Sequence, residues 1–388
     1  AIYRRVNPSW SVSGETMGVT ARPKPDFSKI VPNFIFEGAF IKAESYGLGH
    51  INDTYAAYFR QEDGSIKRYI LQRINHYVFK KPDELMSNIS AITTHLREKI
   101  FQSGGNPTRE TLTLIPTRDG GIYHQTESGD TWRAYVFIEN ALTYQIPQNH
   151  QHVYNAARAY GSFQQLLSDF PAAQLYETIP GFHNTARRFE TFVNVVEKDE
   201  HNRAQAVKDE IGFVLQRAEE MPVFVDLIEQ GELPVRVTHN DTKFNNVMID
   251  DQTGEGICVI DLDTVMPGSL LFDFGDAIRS IANTADEDEQ DLSIVHFSLE
   301  TYERYTQGYL DATRHSLTPV EIDQLAFSAR LMTLECGLRF LADHIDGDIY
   351  FRTTRKDHNL DRCRTQFKLI EEMEAQFDQM SGIVERNT

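Results

Sequence analysis

One stretch of eight residues, His239-Asn-Asp-Thr-Lys-Phe-Asn-Asn246, constrains this chain more than any other. It sets a His, an Asp two positions on, a Lys two further and an Asn five after the Asp. Behind it run apolar Val247-Met-Ile, then Asp250-Asp-Gln-Thr-Gly-Glu-Gly256, then Ile257-Cys-Val-Ile-Asp261-Leu-Asp263. Two short apolar runs around a Gly- and Asp-rich turn predict a β-hairpin. The hairpin returns the chain to the point where it left the octamer. Continued strand alternation would put Asp261 and Asp263 on one face, with Ile260 and Leu262 on the other. A plain polar turn accounts for the Asn and Asp of the octamer. It does not account for a hairpin that begins at its last Asn.

Each polar side chain of this unit has a task in phosphoryl transfer. Asp241 can accept the proton of an attacking hydroxyl, and Lys243 can neutralise charge on the migrating group. His239 reads as a loop anchor. Asn246, Asp261 and Asp263 offer oxygen ligands for Mg2+, which takes a few protein oxygens and completes its shell with phosphate and water. Asp273-Phe-Gly275 spells another magnesium motif, but it follows the turn Met266-Pro-Gly-Ser269 rather than the hairpin. Asp273 is therefore expected to brace the loop by hydrogen bonding. Ile257 to Val265 also fits the nucleophile strand of haloacid-dehalogenase-type phosphatases, with Asp261 forming an aspartyl phosphate. That motif normally opens its domain, and the octamer would be left without a purpose.

Several segments together carry a wider likeness. They are Tyr46-Gly-Leu-Gly-His-Ile-Asn-Asp-Thr-Tyr55, Arg68-Tyr-Ile-Leu-Gln72, Val237-Thr-His-Asn-Asp-Thr-Lys243 and Ile260-Asp-Leu-Asp-Thr264. Phe272-Asp-Phe-Gly-Asp276, Cys336-Gly-Leu-Arg-Phe-Leu-Ala-Asp343 and Gly347-Asp-Ile-Tyr-Phe351 join them. From about residue 34 to about residue 375 the chain resembles the aminoglycoside-phosphotransferase-like kinases of small molecules. Within that group it is similar to N-acetylhexosamine 1-kinases, and the run from Cys336 to Phe351 carries that finer likeness. The resemblance implies an α+β, bilobal protein-kinase-like fold, with a small antiparallel-sheet N-lobe and a larger, mainly helical C-lobe. It implies ATP and Mg2+ as cofactors and a free sugar as acceptor. It also implies that Arg339 and Tyr350 bind that sugar, with His50 as a further candidate.

The expected division is a flexible extension over 1–31, a nucleotide-binding N-lobe over 32–139 and a catalytic, substrate-binding C-lobe over 140–388. The extension is rich in Pro, Ser and Arg. In the N-lobe a strand-rich pattern surrounds one helix near Pro82–Phe101. Gly47 and Gly49 resemble a phosphate-covering turn, with Asn52 where a third Gly would stand; Asn tolerates left-handed backbone. The strand Arg68–Gln72 ends in Gln72, where kinase-like chains place a phosphate-gripping Lys, so no Lys–Glu pair with Glu84 is expected. Trp132 to Glu139 reads as the last strand and the hinge. Adenine would bond backbone groups there, at Phe137, Ile138 and Glu139.

The C-lobe reads as helical. His150 to Phe170 places Val153, Ala157, Tyr160, Leu167 and Phe170 at helix spacing, a core stripe without chemistry. Ala285 to Asp291 reads as a solvated acidic turn. Thr318-Pro-Val-Glu321 is a capping box with Pro at the first helical position, opening a helix to about Asp343. Arg339 stands in an apolar stretch of it and needs either an acidic partner or a ligand.

The remaining expectations are exclusions. With 57 acidic against 38 basic residues the net charge is −19, which repels nucleic acid. No run of apolar residues is long enough to span a membrane. Cys258, Cys336 and Cys363 are too few and too scattered for a zinc site and read as reduced thiols. The expected protein is a cytoplasmic enzyme, a monomer or weak homo-oligomer, with a nucleotide and a small sugar as partners. Alternatives are another kinase of the same group (aminoglycoside, choline or homoserine type), a nucleotide-binding pseudokinase and the aspartyl-phosphate phosphatase.

Overall fold

The computed structural model describes residues 24–47, 51–76 and 78–388. Gly49 and His50 lie outside the described residues, as does most of the expected extension. The chain divides into two compact units, with the boundary between Ala141 and Leu142.

The first unit is built on a five-stranded antiparallel sheet. In chain order its strands are β1 (Ala39–Ser45), β2 (Asp53–Arg60), β3 (Ile66–Arg73), β4 (His124–Gln125) and β5 (Thr131–Val136). Their order across the sheet is β1-β2-β3-β5-β4. β2 and β3 pair from Asp53↔Arg73 to Arg60↔Ile66, which fixes the inward set Ala57, Phe59, Tyr69 and Leu71. Helix α1 (Pro82–Gln102) starts with Pro at its first turn beside Asp83 and Glu84, which suit the positive end of the helix dipole. Leu85, Ile89, Ile92, Leu96 and Ile100 recur at helical spacing and are buried.

The expected start of the fold moves upstream. Phe27–Ile30 forms a helical turn capped by the Asp26 side chain. Ile30 and Val31 are buried in the sheet's core, and the Phe27 ring meets those of Tyr55 at 5.0 Å and Trp132 at 6.4 Å. The polar composition upstream hid three apolar anchors, so residues 27–31 belong to the first unit, not to an extension.

The second unit is mainly helical. It contains α2 (His150–Leu166), α3 (Thr185–Lys198), α4 (Leu270–Ile281), α5 (Leu299–Thr313), α6 (Pro319–Ile345), α7 (His358–Ala375) and α8 (Phe377–Asn387). The capping box at Thr318 and Glu321 forms, and α6 becomes the central helix, packed against α3, α4 and α7. α2 and α5 cross closely because a Cβ on Gly308 would lie 2.3 Å from the Tyr154 carbonyl oxygen. The hairpin strands are β7 (Val247–Asp250) and β8 (Gly256–Val259), and β6 (Arg236–Thr238) pairs with β9 (Met266–Gly268).

The acidic run near Asp291 is not simply solvated. Glu287 is buried beside Arg279, and Asp288 accepts from His358 Nε2 at 2.8 Å. Its acids lie against Arg279 of α4 and His358 of α7. No helix among the described residues is long and apolar enough to cross a membrane. The three cysteines are free and buried.

Candidate active site

The octamer occupies the loop between β6 and β7, and the backbone N–H groups of His239, Asn240 and Asp241 and the carbonyls of His239, Asp241 and Lys243 are all hydrogen-bonded to side chains. Asn240 takes a left-handed conformation, φ +64°, which lets two successive N–H groups face one acceptor. That acceptor is Asp273 at the start of α4. It takes the N–H of His239 and of Asn240, each at 2.8 Å, and the Gln164 amide at 3.2 Å. Thr242 Oγ1 donates to the Asp273 carbonyl at 2.7 Å. Burial pushes the Asp273 carboxyl above the usual carboxylate range, and the amide donors work against that shift. Asp273 thus braces the loop.

His239 is an anchor by its tautomer. Its Nδ1 accepts from the Asp241 N–H at 3.2 Å, so Nε2 carries the proton and donates to the Ile260 carbonyl at 2.9 Å. Tyr160 Oη donates to the Lys243 carbonyl at 2.7 Å, and Gln164 donates to the Val237 carbonyl at 2.8 Å. Periodicity shows Tyr160 only as a core residue and gives no sign of Gln164, since both act on backbone atoms far away in sequence.

The product of this bracing is a fixed carboxylate. Asp241 is only 5% exposed. Its oxygens face Lys243 Nζ at 2.9 Å and the Asn246 amide nitrogen at 3.2 Å. Two donors, one of them charged, hold the group in one orientation.

The hairpin forms as the sequence predicts, but its far end does not continue as a strand. Ile260 N donates to the Asn246 carbonyl at 2.9 Å, which sets Asp261 next to the octamer's end. Asp261 itself is left-handed, φ +59°, and Leu262–Thr264 is a turn of 3-10 helix. The alternation expected for Asp261 and Asp263 therefore fails. Asp261 is exposed, while Asp263 is buried within the turn. The bend lets Thr264 lock the loop, its Oγ1 donating to the His239 carbonyl at 2.7 Å.

The donor set fits a hard divalent cation. The Asn246 amide nitrogen is spent on the Asp241 carbonyl at 2.8 Å, which turns its amide oxygen away as a ligand atom. With the carboxylate of Asp261, the residue after Ile260, the set is all oxygen. Among the described residues no three His, Cys, Asp or Glu side chains are grouped to hold a metal.

In the first unit Gly47 has φ +77°, as a tight turn after β1 requires. Asn52 is not left-handed among the described residues; its side chain instead accepts from the Asn75 N–H at 2.9 Å. Gln72 is held between Thr54 Oγ1 at 3.0 Å and Arg133 Nε at 3.0 Å. Glu84 pairs with Lys81. Phe137 and Ile138 are buried, and the Arg68 guanidinium stacks 3.8 Å over the Phe137 ring while pairing with Glu139. The Glu139 carbonyl is taken by Arg109, which leaves Phe137 and Ile138 as the better backbone contacts for a base.

In the second unit Arg339 and Tyr350 come together, the guanidinium 5.9 Å from the Tyr350 ring. Phe351 and Phe182 lie 5.4 and 6.0 Å from the same guanidinium. The segment carrying Tyr350 is held by Asp343, which accepts the N–H of Tyr350 at 2.7 Å and of Phe351 at 2.9 Å. Asn359 adds a third bond to Asp343 at 2.8 Å.

A braced acidic loop, an amide five residues on and a returning hairpin define a kinase-like phosphotransferase centre. The model of the phosphotransferase enzyme family (APH) matches residues 44–311, and the chain belongs to that family. Over 95% of this chain and 99% of the other, the fold is similar to that of an aminoglycoside phosphotransferase from Alicyclobacillus acidocaldarius, at 12% identity and TM-score 0.60. It is also similar to a choline kinase from Cryptosporidium parvum Iowa II, at 14% identity and TM-score 0.51, covering 89% and 92% of the two chains. A microcompartment-associated aminopropanol kinase gives 14% identity and TM-score 0.51 over 88% and 93%. At such identities the likeness is one of fold. The family match removes the phosphatase alternative, as does the strand before Asp261, which is half of an antiparallel hairpin.

Proposed function

We propose that this phosphotransferase moves the γ-phosphoryl group of ATP to a hydroxyl of a small molecule, and that its acceptor is the anomeric hydroxyl of an N-acetylhexosamine. The observation that carries the first half is Asp241, buried and oriented by Lys243 and Asn246. Asp241 accepts the proton as the acceptor oxygen forms its bond to γ-phosphorus and the bond to the ADP oxygen breaks. Lys243 lies within reach of charge on the moving group. Positioning and charge stabilisation dominate the rate, with proton transfer contributing roughly 10²–10⁴-fold. Asn246 and Asp261, with Asp263 behind them, would hold Mg2+, which neutralises phosphate charge when bound. The first unit would hold the nucleotide through the Gly47 turn, Gln72 and the backbone at Phe137 and Ile138.

The sugar assignment is supported by the resemblance of the Cys336–Phe351 segment and by Arg339 standing against the ring of Tyr350. The test is ADP release with ATP, magnesium and a panel of N-acetylhexosamines, aminoglycosides, choline and homoserine. Release with N-acetylglucosamine or N-acetylgalactosamine, giving an acid-labile and alkali-stable phosphate, is expected. Release only with another class keeps the Asp241 chemistry and removes the sugar. Nucleotide binding without release for any acceptor makes the chain a pseudokinase, a reading favoured by Gln72 in place of a lysine.

A further inference from the structure

Gln72 stands at the end of β3, where kinase-like chains place a phosphate-gripping lysine, and the sheet sets a cation beside it. Thr54 of β2 is the register partner of Gln72, and Gln72 is that of Arg133 on β5. This rung lies on the opposite face of the sheet from Leu71 and Ala134, which pair in the core. Its side chains are joined in order. Arg133 Nε donates to Gln72 Oε1 at 3.0 Å, and Gln72 Nε2 donates to Thr54 Oγ1 at 3.0 Å. Arg133 is 2% exposed, whereas Thr54 and Gln72 are half-buried. A buried cation thus backs two polar groups that solvent can reach.

The neighbours of Arg133 keep its charge useful. α1 meets the rung with Met86, whose Sδ accepts from Arg133 Nη1 at 3.9 Å, while Glu84 pairs with Lys81. A thioether is a weak acceptor and cancels no charge. The Tyr135 ring, 5.4 Å from the guanidinium, favours a cation. A guanidinium N–H bonds only an acceptor, so Arg133 fixes the Gln72 carbonyl toward β5 and turns the amide nitrogen toward β2. That nitrogen keeps a second N–H, and Thr54 keeps its hydroxyl proton; among the described residues neither is engaged. Positive charge on the carbonyl end of an amide polarises its N–H groups, and each bond of such a chain strengthens the next. The outer end of the chain lies beside the Gly47 turn. Tyr46 N donates to the Thr54 carbonyl at 2.9 Å, and nothing lies within 4 Å of a Cβ on Gly47.

We infer that Arg133 supplies, through Gln72 and Thr54, the positive charge that steadies the nucleotide's phosphates in place of the missing lysine. The Gln72 N–H and the Thr54 hydroxyl are the groups that touch phosphate oxygens. Arg133 is a positioning residue that orients and polarises them. This rests on the reading above that the Gly47 turn and Gln72 hold ATP. The sequence shows the lysine's absence but not its replacement, because Arg133 meets Gln72 across strand pairing, 61 residues away.

The test is calorimetry on the full chain with magnesium-ATP and with adenosine, which lacks the phosphates, alongside kcat and the KM for ATP. Arg133→Gln keeps an amide donor on β5 and removes the charge. It is expected to weaken ATP binding and raise the KM for ATP by roughly tenfold, the scale of a hydrogen bond to a charged group, with adenosine affinity unchanged. Adding Gln72→Lys to that variant puts a cation back at the end of β3 and is expected to restore most of the loss. Thermal melts accompany each variant. If Arg133→Gln does not fold, Thr54→Val carries the test from the half-buried end, with an expected loss of roughly threefold or more for ATP and none for adenosine. Equal losses for ATP and adenosine make Arg133 a structural residue of the sheet and overturn the inference. So does an unchanged ATP affinity in the variants, while wild type still turns over ATP; either result leaves the proposed function standing. Wild type that releases ADP yet binds ATP no more tightly than adenosine overturns the inference by moving the phosphates away from this rung. Wild type that binds no ATP overturns both the inference and the kinase reading.

Discussion

Asp241 draws both of its fixing donors, Lys243 and Asn246, from its own eight-residue segment. Asp241→Asn keeps the shape and removes the proton acceptor. Turnover is expected to fall by roughly 10²–10⁴-fold with nucleotide affinity retained. ADP release and a nucleotide titration check this; loss of both together would mean that Asp241 holds the nucleotide. Asp261→Ala is expected to raise the magnesium concentration needed for nucleotide binding, and unchanged dependence would remove Asp261 from the ligand set. Asp241, Lys243, Asn246 and the bracing Asp273 were legible because a loop motif fixes spacing along the chain. Asp263 was misplaced because a left-handed residue at Asp261 ends the strand, and no local rule forces that conformation on an Asp. Tyr160 and Gln164 were illegible for another reason: their partners lie on other elements.

At the scale of elements, α4 delivers Asp273 to the loop, and Gly275 lets α4 approach α6. A Cβ at Gly275 would meet the Ser328 carbonyl oxygen at 2.4 Å and Met332 Cγ at 2.5 Å. Gly275→Ala is therefore expected to cost about 1–3 kcal/mol through overpacking, and to lower turnover by shifting the brace. Gly212→Ala, with open space around its Cβ, is the control and is expected to stabilise slightly. Thermal melts and ADP release distinguish the two; a Gly275 variant matching wild type would show that the interface yields freely. The same logic applies to Asp343, whose loss frees the segment carrying Tyr350. Asp343→Ala should raise the acceptor KM by roughly tenfold with a smaller effect on kcat, read in steady-state kinetics. Element starts such as the capping box at Thr318 were legible, since their chemistry lies within four residues. The turn at Phe27–Ile30 was not, because its stability comes from Tyr55 and Trp132 on distant strands.

At the scale of the molecule, a chain of net charge −19 must keep some carboxyl groups from repelling one another. One of them does so by holding its proton. Burial pushes the Glu287 carboxyl from 4.5 up to about 8, even with Arg279 Nη1 at 3.3 Å, because Arg279 is shared with Asp276. The unfolded chain releases this proton near the ordinary value, so the folded protein binds one more proton between the two. The resulting stability is fully present below about 4.5 and is lost as pH rises through about 8. Glu335 and Asp348, each brought to about 2, act in the opposite sense: their contribution is present above the ordinary carboxylate range and is lost as pH falls through about 2. Glu287→Gln keeps the shape of the protonated group and removes its titration. The variant should match wild type near pH 5 and gain on it as pH rises, by at most about 1.4 kcal/mol for each unit of pH. Paired thermal melts from pH 5 to pH 9 read the difference. A constant gap across that range would mean that Glu287 is ionised throughout, held as the second carboxylate of Arg279 rather than as a neutral acid.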